Sequence, residues 1–456
     1  MHIIIIGAGE VGSSLAQRLS QEAKDVVVID ESGDRLRSIQ ELSDVQTIQG
    51  SGSSPAILRK AGIEDADMLI AVTDSDEVNL VACLLAQASY SSTIKIARIR
   101  NPEYYEASGI LGTEALGIDL AINPEREAAE AIVKLLEIPS GATDMIDFAE
   151  GRVKLVGLVV SEGSPLAGVR LTKLRELNPN RHVLIAAIVR GESEVIIPKG
   201  DTELRAGDVF YSVTVADGVP ELLELAGKTI DRIKRVMIVG GTNIGAILAG
   251  HFVRAGVHTK LLDRDERCCE QLAEAQRGLI VIHGDGTDVN LLAQAGIGEV
   301  DAFITCTHDE EDNILMALIA KRLGARRVVP LVNRTTYTPL VTALGVDIVV
   351  SPRSVAVSSI LSYIRAGKVV SVRTLRNDIA EAVEFIALAT SEIVGRPLAE
   401  IKFPRGSIVG AIVRGDTIII PTGADRIEVD DRVIVFATRE AVSKVEKKFT
   451  VKAEFF

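Results

Sequence analysis

Six residues near the start of the chain, Gly7-Ala8-Gly9-Glu10-Val11-Gly12, have the types and spacing that hold phosphates. They follow an apolar run, His2 to Ile6, and precede a helical stretch, Ser13 to Leu19. In that setting Gly7 permits a tight turn, Gly9 lets a pyrophosphate approach the backbone, and Gly12 lets the helix close on the strand. The helix N-terminus then offers free N–H groups and a partial positive charge to an anion. Asp30 ends the second apolar run, where a carboxylate accepts hydrogen bonds from ribose hydroxyls and repels a 2′-phosphate. Together these residues predict a dinucleotide site that favours NAD(H) over NADP(H).

A second set follows in the other half. Gly240-Gly241-Thr242-Asn243-Ile244-Gly245 comes after the run Arg235 to Val239, and Asp263 takes the place of Asp30. Thr242 replaces the middle glycine, so a β-carbon at the point of closest phosphate approach predicts a weaker or reshaped site. Ser51-Gly52 and Asp285-Gly286 follow the third strands and are read either as bordering an adenine or as simple loops. Thr73-Asp74 and Thr307-His308 end the fourth strands, at the carboxyl edge where such sheets bind ligands, on the expected nicotinamide side. Arg98 ends the fifth strand, as a charge-assisted phosphate donor or as a surface ion pair; its counterpart is Leu331, which favours the first site. The acidic run His308-Asp309-Glu310-Glu311-Asp312 is read as complementing a helix N-terminus, with a hard-cation site as the alternative.

These residues need strands and helices to carry them, and the chain supplies them twice. A shift of roughly 233 residues overlays the halves: Ala61-Gly62-Ile63 matches Ala295-Gly296-Ile297, and Asp67, Ile70, Thr73, Glu77 and Asn79 match Asp301, Ile304, Thr307, Glu311 and Asn313. His2 to Ile6, Val26 to Ile29, Met68 to Val72, Ile94 to Ala97 and Leu120 to Ile122 are continuous apolar runs, as in a parallel sheet covered on both faces. After Ile138-Pro139-Ser140-Gly141 the pattern becomes alternating and broken. Arg152 to Val160, His182 to Arg190 and Glu194 to Ile197 read as strands of a small, largely antiparallel domain. The expected fold class is α/β, with two Rossmann-like doubly wound parallel sheets, each followed by a small α+β domain. The expected domains are 1–140, 141–228, 232–367 and 368–453.

Composition narrows the function. Hydrophobic residues make up 47% and aromatics 4%, a profile of Val-, Ile- and Ala-rich α/β domains. The net charge of −13 opposes a phosphate backbone, so no nucleic-acid partner is expected. Cys83, Cys268, Cys269 and Cys306 lie at no metal-ligand spacing and are expected as reduced thiols, with no metal site. The N-terminus begins directly with a strand, so no secretion signal is expected. The uncharged window Val236 to Val253 has the length of a membrane span, but its Gly240-Gly241-Thr242-Asn243 centre reads as strand, turn and helix. A dehydrogenase would need a proton donor beside the nicotinamide. The first half offers only His2, at the wrong end of its strand, and His182, so no enzyme is expected.

Gly7 to Gly12 after a first strand, Asp30, the Ala61-Gly62-Ile63 segment leading to Asp67-Met68-Leu69-Ile70-Ala71-Val72-Thr73, and a small domain with Ala187-Ile188-Val189-Arg190-Gly191 and Pro198-Lys199-Gly200 together resemble RCK (regulator of potassium conductance) domains. The small-domain motifs return as Ala411-Ile412-Val413-Arg414-Gly415 and Pro421-Thr422-Gly423. Two N-type and C-type pairs in one chain resemble the regulatory subunits of bacterial Trk potassium uptake systems. That resemblance implies a homo-oligomer, a dimer or a tetrameric ring, in the cytoplasm and attached peripherally to the inner membrane through a TrkH- or TrkG-type channel subunit. It implies NAD(H), with ATP or ADP as further ligands, controlling the gate by a population shift. The alternatives are an NAD-dependent oxidoreductase and a nucleotide-responsive scaffold unrelated to ion transport.

Overall fold

The computed structural model of the chain describes residues 1–22, 24–89, 93–101, 103–106, 117–139, 142–177, 183–191, 194–228, 233–334, 337–346, 348–365, 369–375 and 380–449. Ser140, Gly141, His182 and the expected boundaries at 232, 367–368 and 453 lie outside the described residues. Six strands come first: β1 (His2–Ile6), β2 (Asp25–Asp30), β3 (Gln46–Gln49), β4 (Met68–Ala71), β5 (Ile94–Arg98) and β6 (Leu120–Ile122). Next are β7 (Ala142–Phe148), β8 (Val153–Val159), β9 (Val183–Arg190), β10 (Glu194–Ile196) and β11 (Val209–Val215). The second half repeats the series as β12 (Arg235–Val239), β13 (His258–Asp263), β14 (Ile280–His283), β15 (Ala302–Thr305) and β16 (Arg327–Pro330). It ends with β17 (Val369–Leu375), β18 (Ala380–Ile386), β19 (Ser407–Arg414), β20 (Thr417–Ile419) and β21 (Arg432–Thr438).

The large sheets are parallel, in the order β3-β2-β1-β4-β5-β6 and β14-β13-β12-β15-β16. In the second sheet a single parallel bridge, Leu331 to Val350, stands at the place of β6. Ile3 to Ile6 and Val26 to Ile29 are almost wholly buried, because helices cover both faces. The strand order reverses between β1 and β4 and between β12 and β15, and such switch points open a crevice at the carboxyl ends of the strands. The glycines of the repeated Ala-Gly-Ile segments are left-handed, with φ of +78° at Gly62 and +80° at Gly296, so the match in sequence is a match in turn geometry.

The small sheets are antiparallel and share one topology, β10-β9-β11-β8-β7 and β20-β19-β21-β18-β17. β7 and β11 were not singled out in the sequence, whereas β8, β9 and β10 lie where the alternating pattern puts them.

In space like gathers with like. One compact unit comprises Met1–Leu136 and Ile233–Leu361, and the other Glu137–Arg232 and Ser362–Phe456. Within the first, the helix Pro124–Glu137 buries Ala128, Ala129, Ile132 and Val133 in the core of the second sheet, with Val236, Ile238 and Leu248. Within the second, Phe148, Leu155 and Tyr211 share a core with Ala382, Ile434 and Phe436. The membrane-length window resolves into β12, a turn and the helix Asn243–Arg254. Among the described residues no helix is long and apolar enough to cross a membrane.

Candidate functional site

The glycine loop between β1 and the helix Glu10–Gln21 separates three requirements. Gly7 has φ +104°, and a β-carbon there would meet the backbone of Val72 and Thr73 at 3.0–3.1 Å. At Gly12 a β-carbon would lie 1.8 Å from the Gly7 carbonyl oxygen. Both are demanded by the fold itself. Gly9 is not: its φ of −71° suits any residue, and a β-carbon there meets nothing within 4 Å. No side chain caps the helix at Gly9. Neither backbone strain nor packing requires glycine at this position.

Asp30 ties the loop to β2. Its Oδ2 accepts from the Ala8 amide at 2.6 Å and its Oδ1 from the Ser32 amide at 2.8 Å, with Arg35 at 3.9 Å. Each carboxylate oxygen has a second lone pair for a ribose hydroxyl. Thr73 and Asp74 follow β4. Thr73 is clamped by Asn79, a fully buried side chain whose Oδ1 accepts from both the amide and the hydroxyl of Thr73 and whose Nδ2 donates to the carbonyls of Thr73 and Arg98. Asn313 makes the same clamp on Thr307 and Leu331. In sequence these asparagines were visible only as a repeated pair, with no motif to give them a task.

Arg98 is 11% exposed, donates from Nη1 to Asp74 at 3.0 Å, and leaves Nε buried without a hydrogen-bond partner among the described residues. An unpaired guanidinium N–H at a cleft wall is a costly arrangement unless an anion meets it. Both readings of Arg98 thus find a physical footing, the ion pair directly and the phosphate donor through Nε.

The second loop keeps the frame and changes the surface. Gly240 has φ +111°, and a β-carbon at Gly245 would lie 1.9 Å from the Gly240 carbonyl oxygen. Asp263 accepts from the amides of Gly241 and Asp265. Thr242 has φ −63°, close to Gly9, but its Oγ1 donates to the Cys306 carbonyl at 2.8 Å and accepts from the Gly245 amide. The threonine therefore caps the helix Asn243–Arg254 and takes up a donor that the first loop leaves free. Beneath it the Cys306 thiol is pushed up to about 12 by burial. Cys268 replaces Arg35 in register, and its Sγ lies on the Gly241 carbonyl.

A cleft of about 800 Å³ gathers Gly7, Ala8, Gly9, Glu10, Val11, Asp30, Thr73, Asp74 and Arg98 with Arg35, Arg100 and Arg353. Thr242, Asn243, Ile244, Thr307 and His308 of the second repeat line it too. A separate cavity of about 300 Å³ holds Gly240, Gly241, Asp263, Asp285 and Gly286. Its charged lining is five aspartates, Asp263, Asp265, Asp285, Asp309 and Asp312, against Arg264. Two hydrogen bonds from Thr287 hold the Asp285 carboxyl below its usual range, so it carries charge. The larger cleft sets Arg35, Arg98, Arg100 and Arg353 among Glu10, Asp30, Asp74, Glu125 and Glu310, a nearly balanced lining that repels a pyrophosphate less than the smaller cavity does.

Of the remaining expected residues, Ser51-Gly52 and Asp285-Gly286 do not line the larger cleft, whereas the acidic run borders it through His308 and Glu310. A β-carbon at Gly52 would lie 2.0 Å from Ile6 Cγ2, and Ser51 Oγ meets Ser53 Oγ, so this pair serves packing and turn. At Gly286 a β-carbon would meet Val239 and Met316 at 2.5 Å. The acidic run does complement a helix: Asp309 caps Glu310–Arg322, its carboxylate accepting from the Asp312 amide at 2.8 Å. His2 bonds Asp25 and the Ala61 carbonyl at the opposite edge of the sheet. Arg100, Arg353 and Asn79 were not singled out in the sequence as site residues. All four cysteines are free.

Two parallel doubly wound sheets with glycine loops, each paired with a small antiparallel domain of repeated topology, define a tandem RCK-type protein. The chain belongs to the TrkA family. The TrkA-N domain model matches residues 3–124 and 236–352, and the TrkA-C domain model residues 155–227 and 382–450. The Trk system potassium uptake protein TrkA of Halomonas elongata is 38% identical over 460 residues, covering 100% of both chains. Its namesake in Vibrio alginolyticus is 38% identical over 454 residues, with 98% of each covered. These are names of uptake proteins, in agreement with the non-enzymatic reading. Among solved structures, the GsuK RCK domain aligns with a TM-score of 0.61 at 21% identity, over 98% of this chain and 94% of that one. The GsuK channel bound to NAD aligns with a TM-score of 0.62 at 21% identity, over 98% and 78%. At that identity they bear on the fold, which is the one the residues predicted.

Proposed function

We propose that the chain is a peripheral regulatory subunit of a potassium uptake system, which binds NAD(H) at the first glycine loop and through it biases the gate of a TrkH- or TrkG-type membrane subunit. The observation that carries the reading is Gly9, a glycine that the fold does not require, at an uncapped helix N-terminus in the cleft that Arg98 also lines, whose Nε is buried without a partner among the described residues. Gly7 to Gly12 with Arg98 would hold the pyrophosphate, Asp30 the adenosine ribose, and Thr73 and Asp74 the side nearer the nicotinamide. NAD(H) acts here as an allosteric ligand, and the residues of the chain bind and orient it. A ligand shifts such an equilibrium only by its difference in affinity between two states, so the relevant quantity is NADH affinity in the open and closed assemblies.

ATP or ADP are further candidates for the same cleft, whose arginines suit any polyphosphate. Self-assembly into a dimer or ring is part of the proposal. The test is titration of NADH, NAD, ATP and ADP into the full chain, followed by potassium flux in vesicles that carry the membrane subunit, with and without the chain and nucleotide. Binding together with nucleotide-dependent flux is expected. Absence of binding by all four nucleotides would overturn the reading.

A further inference from the structure

The first glycine loop and Thr242 to Ile244 of the second border one cleft, and each repeat adds to it the first turn of the helix that ends its parallel-sheet domain, Pro124–Glu137 or Pro352–Arg365. The helices begin alike, with Asn123-Pro124-Glu125 and Ser351-Pro352-Arg353. They are capped alike as well: Asn123 Oδ1 accepts from the amides of Glu125 and Arg126, and Ser351 Oγ from the amide of Ser354. At the third residue the charge reverses. Glu125 lines the cleft with Asn243 and Ile244 of the second loop, its Oε1 on Arg100 at 3.0 Å and its Oε2 buried without a partner among the described residues. Arg353 reaches the first loop's helix, where Nε and Nη2 both donate to Ser14 Oγ.

We propose that Arg353, carried by the second repeat, is a phosphate-binding residue of the first glycine loop, so that one anionic ligand is held by both repeats. This rests on the reading of the first loop as a nucleotide site. Of the four arginines in the cleft, Arg35, Arg98 and Arg100 stand beside carboxylates, Asp30, Asp74 and Glu125. Among the described residues the partner of Arg353 is a neutral hydroxyl. Exchanging a serine oxygen for a phosphate oxygen replaces a neutral acceptor by an anion, which strengthens the bond. At the second loop the matching residue is a carboxylate with an unpaired oxygen, which repels an anion. The charge reversal therefore assigns the ligand to one loop and makes its binding depend on where the two repeats stand relative to each other.

The experiment is calorimetric titration of NADH into the full chain as wild type, Arg353→Gln, Arg353→Lys and Ser14→Ala, at low and moderate salt. The expected result is a loss of about tenfold or more for Arg353→Gln, a decade being about 1.4 kcal/mol. It should come with a weaker salt dependence, partial recovery in Arg353→Lys and no loss in Ser14→Ala. Should Arg353→Gln fold poorly, the comparison of Arg353→Lys with Ser14→Ala decides. Unchanged affinity in Arg353→Gln, or equal losses in the arginine variants and Ser14→Ala, would overturn the assignment while leaving the nucleotide site standing. A wild-type chain that binds no NADH would instead remove the site itself, and the assignment with it.

Discussion

Thr242 occupies the backbone position of Gly9, with φ and ψ of −63° and 172° against −71° and −171°, yet its hydroxyl caps its own helix, whereas the glycine leaves its helix end open. One side chain thus fills the helix end that the glycine leaves open. Exchanging the two residues should exchange the behaviour. Gly9→Thr is expected to weaken NADH binding by about tenfold or more while stabilising the fold by about 0.5–1 kcal/mol, the worth of a helix cap. Fluorescence titration and thermal melting of the same sample measure the two effects. Tight binding in Gly9→Thr would show that the open loop is not what the ligand uses.

Gly12 and Gly245 behave differently, because they are required by packing. Ala at either position forces a β-carbon into a carbonyl oxygen of the preceding turn, so both variants should lose about 3 kcal/mol or more, the upper range for overpacking. Denaturant unfolding tests this, and it distinguishes these glycines from Gly9, where Ala should cost little stability.

How far the sequence carried this reading depended on whether a residue's task was local. The glycine loops, Asp30 and the strands β1, β2, β4 and β5 are set by contacts within a few residues or by apolar runs, and they stand where the pattern put them. Asn79 and Arg353 act on partners that sequence spacing does not reveal: Asn79 spans two strand ends, and Arg353 crosses from one repeat to the other. The association of like domains across the chain has the same character, since it follows from buried faces such as that of Pro124–Glu137. Gly52 was ambiguous because a glycine needed for packing against Ile6 and one needed for an adenine look the same in sequence.

The small domains hold a repeated ion pair. Arg190 grips Asp208 by two bonds of 2.9 and 2.8 Å, and Arg414 grips Asp431 by bonds of 3.0 and 2.8 Å. Burial raises the Asp208 carboxyl, but Arg190 and the Arg205 amide outweigh it and hold the group below its usual range. A depressed carboxyl stabilises the fold at neutral pH, and that contribution is lost as pH falls through its folded value. Arg190→Ala should cost about 3–5 kcal/mol by stranding the buried Asp208. Unfolding curves at pH 7 and under acid conditions would show whether the variant has lost both the stability and its acid dependence.

The thiols give the opposite pH dependence. Cys83 and Cys306 are pushed up to about 12 by burial, whereas an unfolded thiol titrates near 9.0. Above that value the unfolded chain loses protons that the folded chain keeps, so stability should fall as pH rises from 9 towards 12. A thiol reagent at pH 8 should leave Cys83 and Cys306 unmodified until the chain unfolds. Rapid labelling of either in the native chain, read by mass spectrometry, would contradict their burial.

Two unequal halves, with the nucleotide at the first loop, should respond unequally to loss of the carboxylate that ends the second strand of each parallel sheet. Calorimetric titration of NADH into Asp30→Ala and Asp263→Ala chains tests it most directly. Affinity close to wild type is expected in Asp263→Ala and a loss of about tenfold or more in Asp30→Ala, from the ribose acceptor and the loop tie together. Equal affinity in the two variants would contradict it.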